Sequence, residues 1–194
     1  MRIVAGKHRG RRLAALEGAG VRPTSDRARE ALFNILAHRP LRADGKPVLA
    51  GARVLDVFAG TGAVGLEALS RGAAHATFVE RDRAALAALE KNIAELGEAA
   101  RTSVLRIDVL ALPRAKEAAS LAFLDPPYGA GLAEPALFAL ANGGWLEDEA
   151  VVIVELGKRD DLSPPALFTP LDERRYGAAR FVLLRFCAGQ KSAN

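Results

Sequence analysis

At 194 residues, half of them hydrophobic and about a quarter charged, the chain is long enough for one α/β domain with its own core plus a short appendage. Its one cysteine, Cys187, excludes an intramolecular disulfide and a Cys-x-x-Cys metal clasp; with His8, His38 and His75 scattered, no metal site is expected. The net charge of +4 is unevenly spread, because residues 1–50 hold 11 Lys/Arg against 4 Asp/Glu (+7) and the remainder is −3.

The N-terminal charges are not followed by the apolar stretch of a signal peptide. The longest charge-free run, Pro135 to Leu146, has 12 residues, too few to span a bilayer. A cytoplasmic protein with no membrane contact is expected. Residues 1–12 carry Arg2, Lys7, Arg9, Arg11 and Arg12 and no acid. Ile3, Val4 and Leu13 are interleaved with Gly6 and Gly10, which predicts two short strands around a Gly-Lys-His-Arg-Gly turn. A basic module on a mildly acidic body points to a polyanionic partner. Pro23-Thr-Ser-Asp26 reads as a helix start capped by Thr24 or Ser25. Ala28, Ala31, Leu32, Ile35 and Leu36 then mark one buried helical face. The loop Arg39–Gly51, with Pro40, Gly45, Pro47 and Gly51, ends this appendage, so the expected division is 1–50 and 51–194.

Beyond it, strands and helices alternate. Strands are predicted at Arg53–Phe58, Ala76–Val79, Thr102–Ile107, Leu121–Leu124 and Ala150–Val154, with helices over Ala63–Arg71, Asp82–Leu96 and Leu132–Ala141. Arg180–Phe186 is a further strand, antiparallel at the sheet edge. The pattern predicts a doubly wound α/β fold with a mostly parallel sheet covered on both faces.

The first strand runs into Asp56-Val-Phe-Ala-Gly60-Thr-Gly62-Ala-Val-Gly65, and Glu80 follows Gly60 by 20 residues. Gly60-x-Gly62-x-x-Gly65 is the nucleotide-binding fingerprint: the glycines admit a nucleoside close to the backbone, and a carboxylate after strand two accepts ribose hydroxyls. NAD and S-adenosylmethionine both satisfy it. Asp56 separates them, since an acid before the turn repels a pyrophosphate but suits the ammonium of a methionine moiety. Asp108, after strand three, is placed to accept from an adenine amino group or to cap the following turn, and the roles can coexist.

Asp125-Pro126-Pro127-Tyr128 follows strand four. Two prolines remove two backbone donors and leave carbonyls that accept. An amino group on a base is a poor nucleophile because its lone pair is delocalised. Acceptance of its N–H bonds by the Asp125 carboxylate and the Pro126 carbonyl favours a pyramidal nitrogen, while Tyr128 offers a stacking face. The residues alone lead to amino methylation of a nucleic-acid base.

Arg2-Ile-Val-Ala-Gly-Lys-His-Arg-Gly-Arg-Arg12, Arg22-Pro-Thr-Ser-Asp-Arg27 running on to Leu36, Leu55–Gly62, Glu67–Ala73, Asp125–Tyr128 and Arg175-Tyr-Gly177 together resemble the bacterial 16S ribosomal RNA guanine-N2 methyltransferase family. The resemblance spans essentially the whole chain and is weak at Arg39–Gly51 and after Phe186. It implies a seven-stranded Rossmann-like class I methyltransferase sheet, S-adenosylmethionine as methyl donor, and a guanine of 16S ribosomal RNA in the small ribosomal subunit as target. It also implies that the Arg22–Arg27 stretch closes over the pocket. The expected cofactor set is then Asp56, Phe58, Ala59, Gly60, Thr61, Gly62, Gly65, Glu80, Arg81, Asp108 and Val109, with Thr24 and Arg27. Asp125, Pro126, Pro127 and Tyr128 are the expected catalytic set, and Arg2, Lys7, Arg9, Arg11, Arg12 and Arg22 the RNA-binding set. Asn34 and Arg175-Tyr176 are open between RNA contact and packing. DNA adenine-N6 methylation, nicotinamide-dependent oxidoreduction and a non-catalytic ribosome-assembly role are the rival functions.

Overall fold

Val54, Leu55 and Val57, Leu121 to Leu124 and Val151 to Val154 are all buried. Burial on both strand faces at once belongs to the middle of a parallel sheet covered twice. The computed structural model describes residues 1–15, 26–158, 160–177 and 179–189. Within them these runs form the centre of a seven-stranded sheet of order β3-β2-β1-β4-β5-β7-β6. The strands are β1 (Arg53–Val57), β2 (His75–Glu80), β3 (Thr102–Arg106), β4 (Ala119–Leu124), β5 (Leu146–Leu156), β6 (Phe168–Tyr176) and β7 (Ala179–Phe186). β1 to β5 pair in parallel, and β7 is antiparallel to both β5 and β6.

Helices α1 (Asp26–His38), α2 (Ala63–Ser70) and α3 (Arg83–Leu96) cover one face, where Phe33, Leu66 and Leu89 pack with Phe78, Phe123 and Ile153. Helix α4 (Ala133–Asn142) covers the other, with Leu137, Leu140 and Trp145 against Leu55, Leu124 and Val154. This is the doubly wound α/β arrangement with an antiparallel end that the alternating pattern predicts. α3 begins where Asp82 accepts the Ala85 N–H at 2.8 Å and stops at Gly97 in the left-handed region, an acid cap and a glycine stop. Among the described residues no helix is long and apolar enough to cross a membrane.

Three local expectations need correction. The final strand is not at the edge: β7 lies between β5 and β6, which buries Phe181, Leu183 and Leu184. The edge is β6, unpredicted because Phe-Thr-Pro-Leu-Asp-Glu-Arg-Arg-Tyr looks like a charged loop. A proline and a charged rim are what an edge strand tolerates, and its register shifts at Pro170/Asp172. On α1 the inward residues are Ala28, Arg29, Leu32, Phe33 and Leu36, so the buried face is turned toward Arg29 and Phe33, while Ala31 and Ile35 are only half-buried. The predicted pair of strands at 1–15 reduces to one antiparallel bridge, Arg2 with Arg12. The expected cap at Thr24 or Ser25, and Arg22, lie outside the described residues.

The N-terminal arm docks by its backbone. The Val4 and Ala5 N–H groups donate to the two oxygens of Glu67 at 2.7 and 3.0 Å, and the Lys7 and His8 N–H groups donate to Ser70 on α2. Glu67 is fully buried and also accepts from Arg71 Nε at 2.6 Å, with Arg29 Nε at 3.7 Å. Glu98, after α3, receives His8 at 2.5 Å and Arg101 at 2.6 and 2.8 Å. Burial alone would raise its pKa, but the bonds from Arg101 and His8 and the nearby Lys7 hold it below the usual glutamate range. Ile3 and Leu13 thereby join the core cluster of α1, α2 and α3.

Candidate active site

Four of the five parallel strands deliver a short segment to one end of the sheet: 58–60 after β1, 80–82 at the end of β2, 107–109 after β3 and 125–128 after β4. They line one cavity of about 890 Å³. This is the carboxyl edge of the sheet, where doubly wound folds hold their ligands.

The β1–α2 turn is made by backbone in the left-handed region. Phe58 holds φ +59° although it is no glycine, a conformation that costs on the order of 1–3 kcal/mol and that the surrounding structure has to impose. Gly62 holds φ +78°, and a Cβ there would collide with Leu89 Cδ1 of α3, so the turn can lie this close only as glycine. Asp56, one of the core-facing positions of β1, is 4% exposed and accepts the Gly65 N–H at 2.9 Å. It does not line the cavity. It ties the start of α2 to the strand. Burial, only partly offset by the Gly65 bond, raises its pKa to about 7, with the Glu80 carboxylate adding to the rise.

Glu80 and Asp108 do line the cavity. Glu80 accepts the Gly60 N–H at 2.8 Å through one oxygen and the Arg81 and Asp82 N–H groups at 2.7 and 2.8 Å through the other. Three backbone donors orient this carboxylate, and its first oxygen keeps a lone pair for a hydroxyl. Asp108 caps the following 3-10 turn by accepting the Leu110 N–H at 2.9 Å, and its other oxygen meets the Arg81 guanidinium. Capping and pocket lining coexist in this side chain.

The Asp125–Tyr128 segment forms the opposite wall. Asp125 is open to the cavity, and protein crowds its other sides. That crowding, then the Glu155 and Asp56 carboxylates, raise its pKa well above the usual aspartate range. Pro126 is buried and Tyr128 is 47% exposed. The Tyr128 hydroxyl lies 3.1 Å from Glu155 Oε1.

The structure therefore gathers Phe58, Gly60, Glu80, Arg81, Asp108, Val109 and the Asp125–Tyr128 quartet around one space. Ala59, Thr61, Gly62 and Gly65 belong to the turn and the start of α2 but do not line it. Arg27 is exposed at the first turn of α1 and does not line it; Thr24 lies outside the described residues. The arm's basic residues are elsewhere, at the far ends of α2 and α3, and three of them already have partners. Lys7 pairs with Glu98 at 3.6 Å, Arg2 with Asp26 at 3.7 Å, and Arg11 donates to the Glu95 carbonyl at 2.6 Å. Arg9 and Arg12 are exposed without a partner among the described residues. Asn34 is exposed, as is Arg175, which pairs with Glu173, and the Tyr176 ring packs on Phe181, which favours packing for Tyr176.

Two polar residues near the site escape a reading by motif. Glu155 is a buried carboxylate ending the apolar run 150–154, and that interruption is its only sequence signal. Asn92 is a buried amide on α3 that exchanges two bonds with the Ala14 backbone and donates to the Thr61 carbonyl at 2.9 Å. It links the arm to the glycine turn.

Comparison with known proteins agrees with this architecture. A family model described as conserved hypothetical protein 95 matches residues 1–185. The ribosomal RNA small subunit methyltransferase D of Escherichia coli is 44% identical over 156 residues, covering 80% of this chain and 74% of that protein. The protein of the same name from Haemophilus influenzae is 37% identical over 187 residues, covering 94% and 92%. The solved structure of yhhF from Escherichia coli superimposes with a TM-score of 0.82 at 38% identity, covering 97% of this chain and 98% of that one. With a seven-stranded class I methyltransferase sheet and near-full-length similarity, the chain belongs to the ribosomal RNA small subunit methyltransferase D family.

Proposed function

We propose that this protein transfers a methyl group from S-adenosylmethionine to the exocyclic N2 of a guanine in 16S ribosomal RNA of the small ribosomal subunit, in the cytoplasm. The observation that carries the reading is the facing of two walls across one cavity. Glu80 and Asp108 stand on one side, and Asp125 to Tyr128 on the other. The names of the relatives support ribosomal RNA as substrate.

The residues fit the donor. Glu80 and Asp108 are acceptors for ribose hydroxyls and an adenine amino group. The buried carboxylate of Asp56 and the crowded one of Asp125, which opens to the cavity, make this end of the sheet favourable for a cation. When bound, S-adenosylmethionine supplies an electrophilic methyl group on a sulfonium. The protein's task is then mainly positioning. Tyr128 stacks the unstacked guanine, while Asp125 and the Pro126 carbonyl accept the two N–H bonds of N2. Only the ionised form of Asp125 accepts in this way, and a positive charge nearby favours that form. In this reading residues 51–194 hold the chemistry, and residues 1–50 are an RNA-contacting extension through Arg2, Lys7, Arg9, Arg11, Arg12 and Arg22.

Mass spectrometry of 16S ribosomal RNA from cells with and without the gene tests the proposal. One guanine should lose its N2 methyl group without the gene. A binding check separates the cofactor classes: S-adenosylmethionine should raise the melting temperature and NAD(P)H should not. An unmethylated product class, or stabilisation by the nicotinamide nucleotide alone, would end the reading.

A further inference from the structure

Tyr128 is exposed, yet three contacts hold it. Its hydroxyl meets Glu155, which is 5% exposed at the end of β5. Its ring lies on Gly157, where a Cβ would stand 2.9 Å from Asp160 Oδ2, 3.2 Å from Tyr128 Cγ and 3.4 Å from Cδ1. The next residue, Gly129, donates its N–H to Asp160 Oδ1 at 3.1 Å, and Asp160 Oδ2 takes the Gly157 N–H at 3.0 Å. Arg180 of β7 in turn donates to the Asp160 carbonyl. One carboxylate thus ties together the residue that follows the ring and the residue beneath it. Asp160 does not line the cavity, so its bonds act on Tyr128 rather than on the cofactor space. A stacking surface that is half in solvent loses rotamer freedom only if something outside the ring fixes it, and alignment of a base with a reacting atom depends on such fixing.

We infer that the end of β5 and the turn after it, through Glu155, Gly157 and Asp160, form a bracket that sets the orientation of the Tyr128 ring for the target base, with Asp160 as its positioning residue. This rests on the proposed role of Tyr128 as the surface under the base. The bracket also has a reading of its own, independent of methylation, because the chain has only two tyrosines, Tyr128 and Tyr176.

Protein labelled with 3-fluorotyrosine should give two fluorine resonances, assigned by Tyr176→Phe. In Asp160→Ala the Tyr128 resonance should shift or broaden while that of Tyr176 stays. Turnover on small ribosomal subunits should fall about tenfold in kcat, with the KM for S-adenosylmethionine unchanged. Asp160→Asn, which keeps one acceptor oxygen, should recover part of both signals. Gly157→Ala should reproduce the loss by displacing Asp160 Oδ2 and the ring together, and it covers the case in which Asp160→Ala folds poorly. An unmoved Tyr128 resonance with wild-type turnover in Asp160→Ala and Gly157→Ala overturns the bracket. So does a fall in turnover that follows melting temperature alone and is not relieved by Asp160→Asn. A wild-type protein that methylates no ribosomal RNA removes the functional reading instead, and the fluorine spectra tell the two failures apart.

Discussion

Carboxylates crowded by protein sit at both ends of this sheet, and they are treated in opposite ways. At the arm end, Glu67 and Glu98 are met by guanidinium groups and backbone donors: Arg71 and Arg29 on one, Arg101 and His8 on the other. At the cavity end, Asp56 has one backbone N–H, Asp125 has no side-chain ion pair among the described residues, and both are raised in pKa. A buried acid matched by cations locks two pieces of chain together. An acid crowded by protein and left without one holds an unmet demand for positive charge. The first arrangement is structural, and the second is what a site for a cationic ligand requires.

The largest expected effect tests that division at Asp125. Asp125→Ala should lower methyl transfer by about 10³-fold or more, because both the acceptor and its alignment are lost. Affinity for S-adenosylmethionine should stay within a fewfold, and the melting temperature should hold or rise as a raised-pKa carboxylate disappears. Tritium transfer, calorimetric titration and thermal melting measure the three. Near-normal turnover would break the comparison at its functional end.

Glu67→Ala should do the reverse. It strands two guanidinium groups and two arm N–H groups, and breaking a buried pair of this kind costs about 3–5 kcal/mol. Denaturant unfolding should register that loss, and whatever folded protein remains should bind S-adenosylmethionine normally. A variant as stable as the wild type would show that the arm is held by its apolar residues alone.

The pH dependence follows from Asp56. Its carboxyl is at about 7 when folded against 3.8 for an ordinary aspartate, so between these values the folded protein holds a proton that the unfolded chain releases. The stability this brings is complete below about pH 4 and is lost as pH rises toward 7. The melting temperature of the ligand-free protein should therefore decline over that window. Asp56→Asn, which can still accept from Gly65, should flatten the decline, with Asp125 contributing what remains. A slope unchanged by Asp56→Asn would place the titrating group elsewhere.

The smallest effect concerns the arm's outer charges. Lys7 and Arg11 are engaged by Glu98 and Glu95, which leaves Arg9 and Arg12 as its open cations. Replacing these two with alanine should lower the slope of log K against log[salt] for RNA binding by about 1.5, at roughly 0.7–0.9 per phosphate. Melting temperature should not change. Filter binding over a salt series gives the slope, and parallel lines for mutant and wild type would remove the arm from the RNA surface.

The two ends also differ in how far the sequence reveals them. The cavity wall is made of short segments directly after β1 to β4, so apolar runs followed by Asp56–Gly65, Glu80, Asp108 and Asp125–Tyr128 disclose most of it. Each segment there directly follows its own strand, although the strand ends lie side by side in the order β3, β2, β1, β4. Glu155 and Asp160 come from a neighbouring strand and its turn, and only the parallel pairing of β5 with β4 brings them beside Tyr128. The basic count of the arm is legible, but the partners of Lys7, His8 and Arg11 lie 84 to 91 positions away, as Glu95 and Glu98. β6 was hidden because an edge strand is allowed the proline and charges of a loop.

The docking of Val4 and Ala5 on Glu67, and of His8 on Glu98, spans 62 to 90 positions of chain. Synthesis runs from the N-terminus, so the arm emerges before the acceptors it docks on exist. The hairpin can settle only after α2 and the end of α3 have left the ribosome. These residues thus find their place only after the segments they dock on, and until then Lys7 and His8 face the ribosome's own RNA without the Glu98 carboxylate that holds them in the fold.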